Sequence, residues 1–132
     1  MKVLLDTNAY TALMAGRGDV ADRVRASEGV VLSSIVVGEL LFGFRNGSRY
    51  EWNRARLDAF VAKRQVAIAG VTLPTAERFG LVAAQLRRYG TPIPSNDIWI
   101  AAHSMETGAS LLSFDRHFER VEGLLWTRLQ AD

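Results

Sequence analysis

The sequence predicts an α/β domain: a parallel sheet with helices packed on both faces. Short apolar runs alternate along the chain with longer segments of helical periodicity, the pattern of β-α-β units. Two of those runs end on an aspartate, Asp6 and Asp115. The length, 132 residues, suits one domain, read here as residues 1–132.

The elements follow in order. Residues 2–5 form a short apolar run closed by Asp6, the signature of a buried parallel strand. A helix over 8–15 follows, broken by Gly16 and Gly18, and Asp19 is placed to cap a second helix reaching Ser27. Residues 30–32, Val-Val-Leu, are the second strand, and a helix over 34–44 carries Ile35, Leu41 and Phe42 among its apolar positions. Ser48 and Glu51 make a capping box for the next helix, in which Leu57, Phe60 and Val61 form the inward stripe. Residues 66–68 are a third strand. Pro74 suits the first turn of a helix with Phe79, Val82, Ala83 and Leu86 inward and Gly90 at its end. The two prolines of residues 91–95 impose a loop. Ser95 or Asn96 then caps a helix with Ile98, Ala101, Ala102 and Met105 inward, stopped by Gly108. Residues 110–114 and 124–126 are the last strands.

Composition excludes several functions. With no cysteine there is no disulfide scaffold, thiol catalysis or cysteine-ligated metal. The longest uncharged stretch is twelve residues, 65–76, against about 20 apolar residues for a membrane span. Asp6 interrupts the first apolar run too early for a signal peptide, so a cytoplasmic location is expected. A net charge of +2 does not mark a nucleic-acid binder. Fourteen of the sixteen bases are arginines, the better fork for phosphate, though a GC-rich genome produces the same bias. Arg45, Arg49, Arg54, Arg56, Lys63 and Arg64 face only Glu51 and Asp58 within their stretch, either a solvated face or a phosphate-binding one.

Four acids carry the chemistry. Sites in open α/β sheets form beyond the carboxyl ends of the strands, where Asp6 and Asp115 stand. Asp97 follows the proline loop, and Glu39 interrupts an apolar stretch. Each has a plain structural role available: capping, helix-dipole stabilisation or solvation. Gathered together, they repel unless a cation neutralises them, and oxygen donors select Mg2+ or Mn2+. Such a cluster suits phosphodiester hydrolysis by metal-activated water.

Leu4-Leu5-Asp6-Thr7-Asn8, Val37-Gly38-Glu39-Leu40, Ser95 to Ala102 and Leu111 to Phe118 occur in that order. Together they resemble the PIN-domain ribonucleases, specifically the VapC-like toxins of type II toxin–antitoxin pairs, across nearly the whole chain. The resemblance implies a three-layer α/β/α fold with a parallel sheet of about five strands in the order 3-2-1-4-5. It implies Mg2+-dependent (Mn2+ possible in its place) endoribonuclease cleavage of structured RNA, tRNA or rRNA. Asp6, Glu39, Asp97 and Asp115 match the acidic quartet. Asp6 and Asp97 match direct metal ligands, with Asp115 in the metal set; Glu39 and Asp115 hold waters, position the nucleophile or complete a second metal site. Asn8, Thr7 and Ser113 match supporting positions, Asn8 as a hydrogen-bonding residue and Ser113 where threonine is commoner. The implied partners are a VapB-like antitoxin laid over the acidic cleft, the RNA substrate and a second copy in a homodimer.

His103 and His117 are read as packing or surface residues, since a metal hydroxide needs no histidine. Trp99 and His103 lie off the inward stripe, as packing residues or an RNA-stacking surface. Most of Phe42, Phe44, Tyr50 and Trp52 are expected in the core, with Phe44 and Trp52 available to an antitoxin groove. Rival readings fit less well. A phosphorylated receiver needs a lysine ending its last strand, and neither Lys2 nor Lys63 is so placed. An aspartyl-nucleophile hydrolase wants an acid two residues after Asp6, where Asn8 stands. A non-catalytic acidic-cleft PIN domain that binds RNA or protein is the alternative.

Overall fold

The computed structural model describes residues 1–131. Its strands are β1 (Val3–Leu5), β2 (Val30–Ser33), β3 (Val66–Ala69), β4 (Ser110–Ser113) and β5 (Trp126–Arg128). Its helices are α1 (Thr7–Met14), α2 (Gly18–Ala26), α3 (Ser34–Asn46), α4 (Tyr50–Val61), α5 (Leu73–Arg88) and α6 (Ser95–Thr107), with a 3-10 turn at Arg116–Arg120. The five strands pair in parallel in the order β3-β2-β1-β4-β5, and helices cover the sheet as a three-layer α/β/α fold. The order reverses at β1, which leaves a crevice between the carboxyl ends of β1 and β4.

The central strands are apolar because both of their faces are covered: Leu4, Leu5, Leu32, Leu111 and Leu112 are all buried. The edge strand β3 exposes Ile68. Among the described residues no helix is long and apolar enough to cross a membrane.

Helix stripes fall as the spacing requires: Leu57 and Phe60, Val82 and Leu86, Ile98, Ala101 and Ala102 are buried. Gly108, at φ 73°, ends α6 in a left-handed conformation that favours glycine. The aromatic residues of α3 and the start of α4 depart from expectation. Phe42 and Trp52 are exposed, and Phe44 and Tyr50 are only partly buried. The reason is that α3 buries Val36 and Leu40, which places Phe42 on another side of the helix.

Three caps also differ. Helix α4 starts after Arg49 with no side-chain cap, so Ser48 and Glu51 form no box. Its entry is held instead by Arg45 stacked on Tyr50 (4.2 Å) and Arg49 stacked on Trp52 (4.0 Å). Helix α2 starts after Arg17, and Asp19 lies within its first turn, paired with Arg17. Helix α6 starts after Pro94, whose carbonyl accepts from the Asp97 and Ile98 amides at 3.0 and 3.2 Å. Asn96 is thereby released to reach across to another helix.

Two buried polar groups define the interior. His103 lies with Nδ1 2.8 Å from the Ser33 hydroxyl and Nε2 3.0 Å from the Gly70 carbonyl. Ser33 Oγ also accepts from the Ile35 amide. The serine proton therefore points to Nδ1, and Nε2–H donates to Gly70. This ties α6 to the start of α3 and the end of β3, the packing role expected of His103. Tyr10, by contrast, buries its hydroxyl with no hydrogen-bond partner among the described residues while its ring meets Phe60 edge-on at 5.5 Å. Tyr10→Phe keeps the ring contact and removes an unpaired polar atom, so stability should rise by about 1 kcal/mol. The urea midpoint measures this, and a fall would mean that a bound water pairs the hydroxyl.

Candidate active site

Register brings the first two acids together. Leu5 lies opposite Leu112, so Asp6 and Ser113 emerge side by side at the ends of β1 and β4. Asp6 is the N-cap of α1: its Oδ1 accepts from the Ala9 amide at 2.9 Å, and its Oδ2 accepts from the Ser113 hydroxyl. Ser113 Oγ in turn accepts from the Asp115 amide at 2.9 Å, so one hydroxyl orients both aspartates. Asp115 caps the 3-10 turn through the His117 amide at 2.8 Å.

Helix α6 supplies Asp97. The Nδ1 atom of His117 lies 3.2 Å from Asp97 Oδ2 and 3.1 Å from Asp115 Oδ2. Helix α3 supplies Glu39, whose two oxygens accept from the Thr7 hydroxyl (2.7 Å) and the Asn96 amide (3.3 Å). All four acids predicted from sequence thus have a place around one crevice, and Thr7 and Ser113 hold two of them. Asn8 is exposed, and its side chain makes no hydrogen bond among the described residues. It follows Thr7 on the helix and is turned about 100° away from it. The asparagine that supports the quartet is Asn96.

The electrostatics show strain. Burial pushes the Asp6 carboxyl, only 7% exposed, up to about 6, and the charges of Asp97 and Asp115 add to the rise. The hydrogen bonds from Ser113 and Ala9 oppose it but do not win. Asp97 is raised as well, first by burial and then by Asp115 and Glu39, against the hydrogen bond to His117. These acids are held where their charged forms are unfavourable, an environment that a bound cation would favour. The donor set fits a divalent metal: ligand atoms of Asp97, Asp115 and His117 all lie within 4.8 Å of one another. His117 is therefore no bystander. Its position two residues after Asp115, in a turn that folds back on that acid, was the available sequence signal.

Beside Glu39 runs an open cleft of about 660 Å³ lined by Thr7, Ser34, Ile35, Gly38, Phe42 and Asn96. The basic stretch on α4 is partly engaged: Arg54 pairs with Asp58 at 3.0 Å, and Arg56 donates to the Met14 carbonyl. Trp99 is half-buried against Phe79, ring centroids 4.1 Å apart, which is packing rather than an open stacking surface.

Acids gathered at the switch point of a parallel sheet, with no cysteine and an open cleft alongside, define a class: α/β nucleases of the acidic-site kind. The sequence model of the PIN domain matches residues 3–124. Ribonuclease VapC2 of Haemophilus influenzae is 34% identical over 127 residues, covering 94% of this chain and 95% of that protein. The tRNA(fMet)-specific endonuclease VapC of Shigella flexneri is 29% identical over 127 residues, covering 94% and 95%. The structure of VapBC-1 from nontypeable H. influenzae superposes with a TM-score of 0.85 at 28% identity, covering 97% of this chain and 98% of that one. The chain belongs to the PIN domain family, among the VapC ribonucleases.

Proposed function

We propose that residues 1–132 act as one domain, a divalent-metal-dependent endoribonuclease that cuts structured RNA of the tRNA or rRNA kind. The observation that carries this reading is the meeting of Asp6, Asp97, Asp115 and Glu39, two of them with raised pKa values. The specificity named for the Shigella relative supports a structured RNA substrate.

Asp6, Asp97 and Asp115 would hold the metal, Mg2+ or Mn2+. When bound, it supplies an activated water and neutralises charge on the phosphate. Ser113 orients Asp6 and Asp115 about it. Thr7 and Asn96 fix the Glu39 carboxylate, leaving its remaining lone pairs to hold and position the attacking water. The cleft along α3, with exposed Phe42, receives the RNA strand. The same cleft is where a VapB-like antitoxin would lie; the likeness to VapBC-1 supports such a partner. In this reading the chain is the toxin of the pair, works in the cytoplasm and forms a homodimer.

The test is incubation of the partner-free protein with total RNA and Mg2+, beside EDTA and Asp97→Asn controls. Discrete fragments that vanish with EDTA and with the substitution are expected. Intact RNA after treatment with folded, metal-bound protein would overturn the proposal.

A further inference from the structure

We infer that His117 is a nitrogen ligand of the metal in this site, so that the site takes a transition cation such as Mn2+ in preference to Mg2+. The inference rests on the metal-nuclease reading above and concerns the donor set, which the acids alone would make all-oxygen.

The geometry points to it. His117 Nδ1 stands 3.2 Å from Asp97 Oδ2 and 3.1 Å from Asp115 Oδ2. Neighbouring corners of an octahedral ion with bonds of about 2.1 Å are about 3.0 Å apart. The nitrogen therefore stands as far from each oxygen as two neighbouring ligands of one ion would be, and the three donor atoms all lie within 4.8 Å of one another. The donors come from two places in the fold: Asp97 from α6, and Asp115 and His117 from the 3-10 turn after β4, as its N-cap and within it. The backbone amide of His117 is anchored on Asp115 Oδ1 at 2.8 Å, which holds the ring over the site. Among the described residues the ring makes no hydrogen bond or ion pair except with these two acids, so its one polar environment is the acidic site. Asp97 is the more enclosed of the acids, while His117 and Asp115 have side chains 40% and 37% exposed. The remaining corners of an ion are thus left toward solvent, for water and phosphate oxygens.

Chemistry sets the preference. Mg2+ takes oxygen ligands and gives up water reluctantly, whereas first-row transition cations, Mn2+ the least strongly of them, also accept an imidazole nitrogen. A site of two carboxylates and one imidazole gains a ligand with Mn2+ that contributes little with Mg2+.

The experiment measures binding rather than turnover. Mn2+ is titrated into partner-free protein and followed by electron paramagnetic resonance, Mg2+ affinity is obtained by calorimetry, and pulsed resonance reads nitrogen coupling to bound Mn2+. Wild type should bind Mn2+ more tightly than Mg2+ and show imidazole nitrogen coupling. In His117→Gln the coupling should disappear and Mn2+ affinity fall by roughly 10- to 100-fold, with Mg2+ affinity near its starting value. Bound Mn2+ without nitrogen coupling in wild type would overturn the inference alone and leave His117 as an ion-pair partner of the acids. Equal loss of both metals in the variant would also overturn it. Failure of folded wild type to bind either cation would overturn the metal reading with it.

Discussion

Asp6→Asn is expected to reduce RNA cleavage by roughly 10²- to 10³-fold or more and, at pH 7 without metal, to make the protein more stable. The two effects have one cause. Burial and two neighbouring acids raise the Asp6 carboxyl from 3.8 to about 6, so its ionised form is carried at pH 7 against an unfavourable environment. At about 1.4 kcal/mol per pH unit that is on the order of 3 kcal/mol of penalty. Asparagine removes the charge and keeps the local structure. Its side-chain oxygen still accepts from the Ala9 amide, and its NH2 group can donate to Ser113 Oγ, which rotates to accept. A stability gain of about 1–3 kcal/mol is expected from urea denaturation in EDTA. A loss of stability would show that the protein itself favours the carboxylate, and the electrostatic argument for cation binding at Asp6 would fall.

The second expectation concerns pH. Between about pH 4 and 6 the folded chain keeps on Asp6 a proton that the unfolded chain has released. Stability attributable to this group is therefore full below its unfolded value and declines as pH rises through about 6. Asp97, raised in the same direction, adds to the decline. Asp19 and Glu28 have the opposite sign, drawn down by hydrogen bonds from Arg17 and the N-terminal ammonium, and they act at lower pH. A divalent cation binds the ionised acids, so its stabilisation should be small at pH 4.5 and grow toward pH 7. At a hundredfold excess over Kd it reaches about 2.7 kcal/mol. Melting curves with and without Mg2+ across that range, for wild type and Asp6→Asn, measure it. A metal effect independent of pH, or undiminished in the variant, would place the ion away from these carboxylates.

Most of the fold was legible in the sequence because its causes are local. Apolar runs of three or four residues bounded by an acid or a glycine became β1, β2 and β4. Stripes such as Val82 and Leu86 marked their helices. The misplaced caps have a common origin. Ser48, Asp19 and Asn96 are all competent capping residues, but Arg49 stacks on Trp52, Asp19 pairs with Arg17, and Asn96 bonds Glu39. Capping propensity is worth about 1 kcal/mol, which a local pairing such as Arg17–Asp19 or Arg49–Trp52, or a contact to another element such as Asn96–Glu39, can redirect. Phe42 misled because an aromatic residue in an apolar run reads as core, while the face it occupies depends on which side α3 turns to the sheet.

The residues alone determined which chemistry was available: no thiol, four carboxylates in order, and strands that end on acids. They could not determine which side chains meet. Asp6 shares a hydroxyl with a strand 107 residues later, Asn96 reaches Glu39 across 57, and His117 enters between Asp97 and Asp115. Those meetings follow from parallel register and from the point at which strand order reverses. Both are properties of the assembled sheet, since pairing energies between distant segments leave no periodic trace along either one.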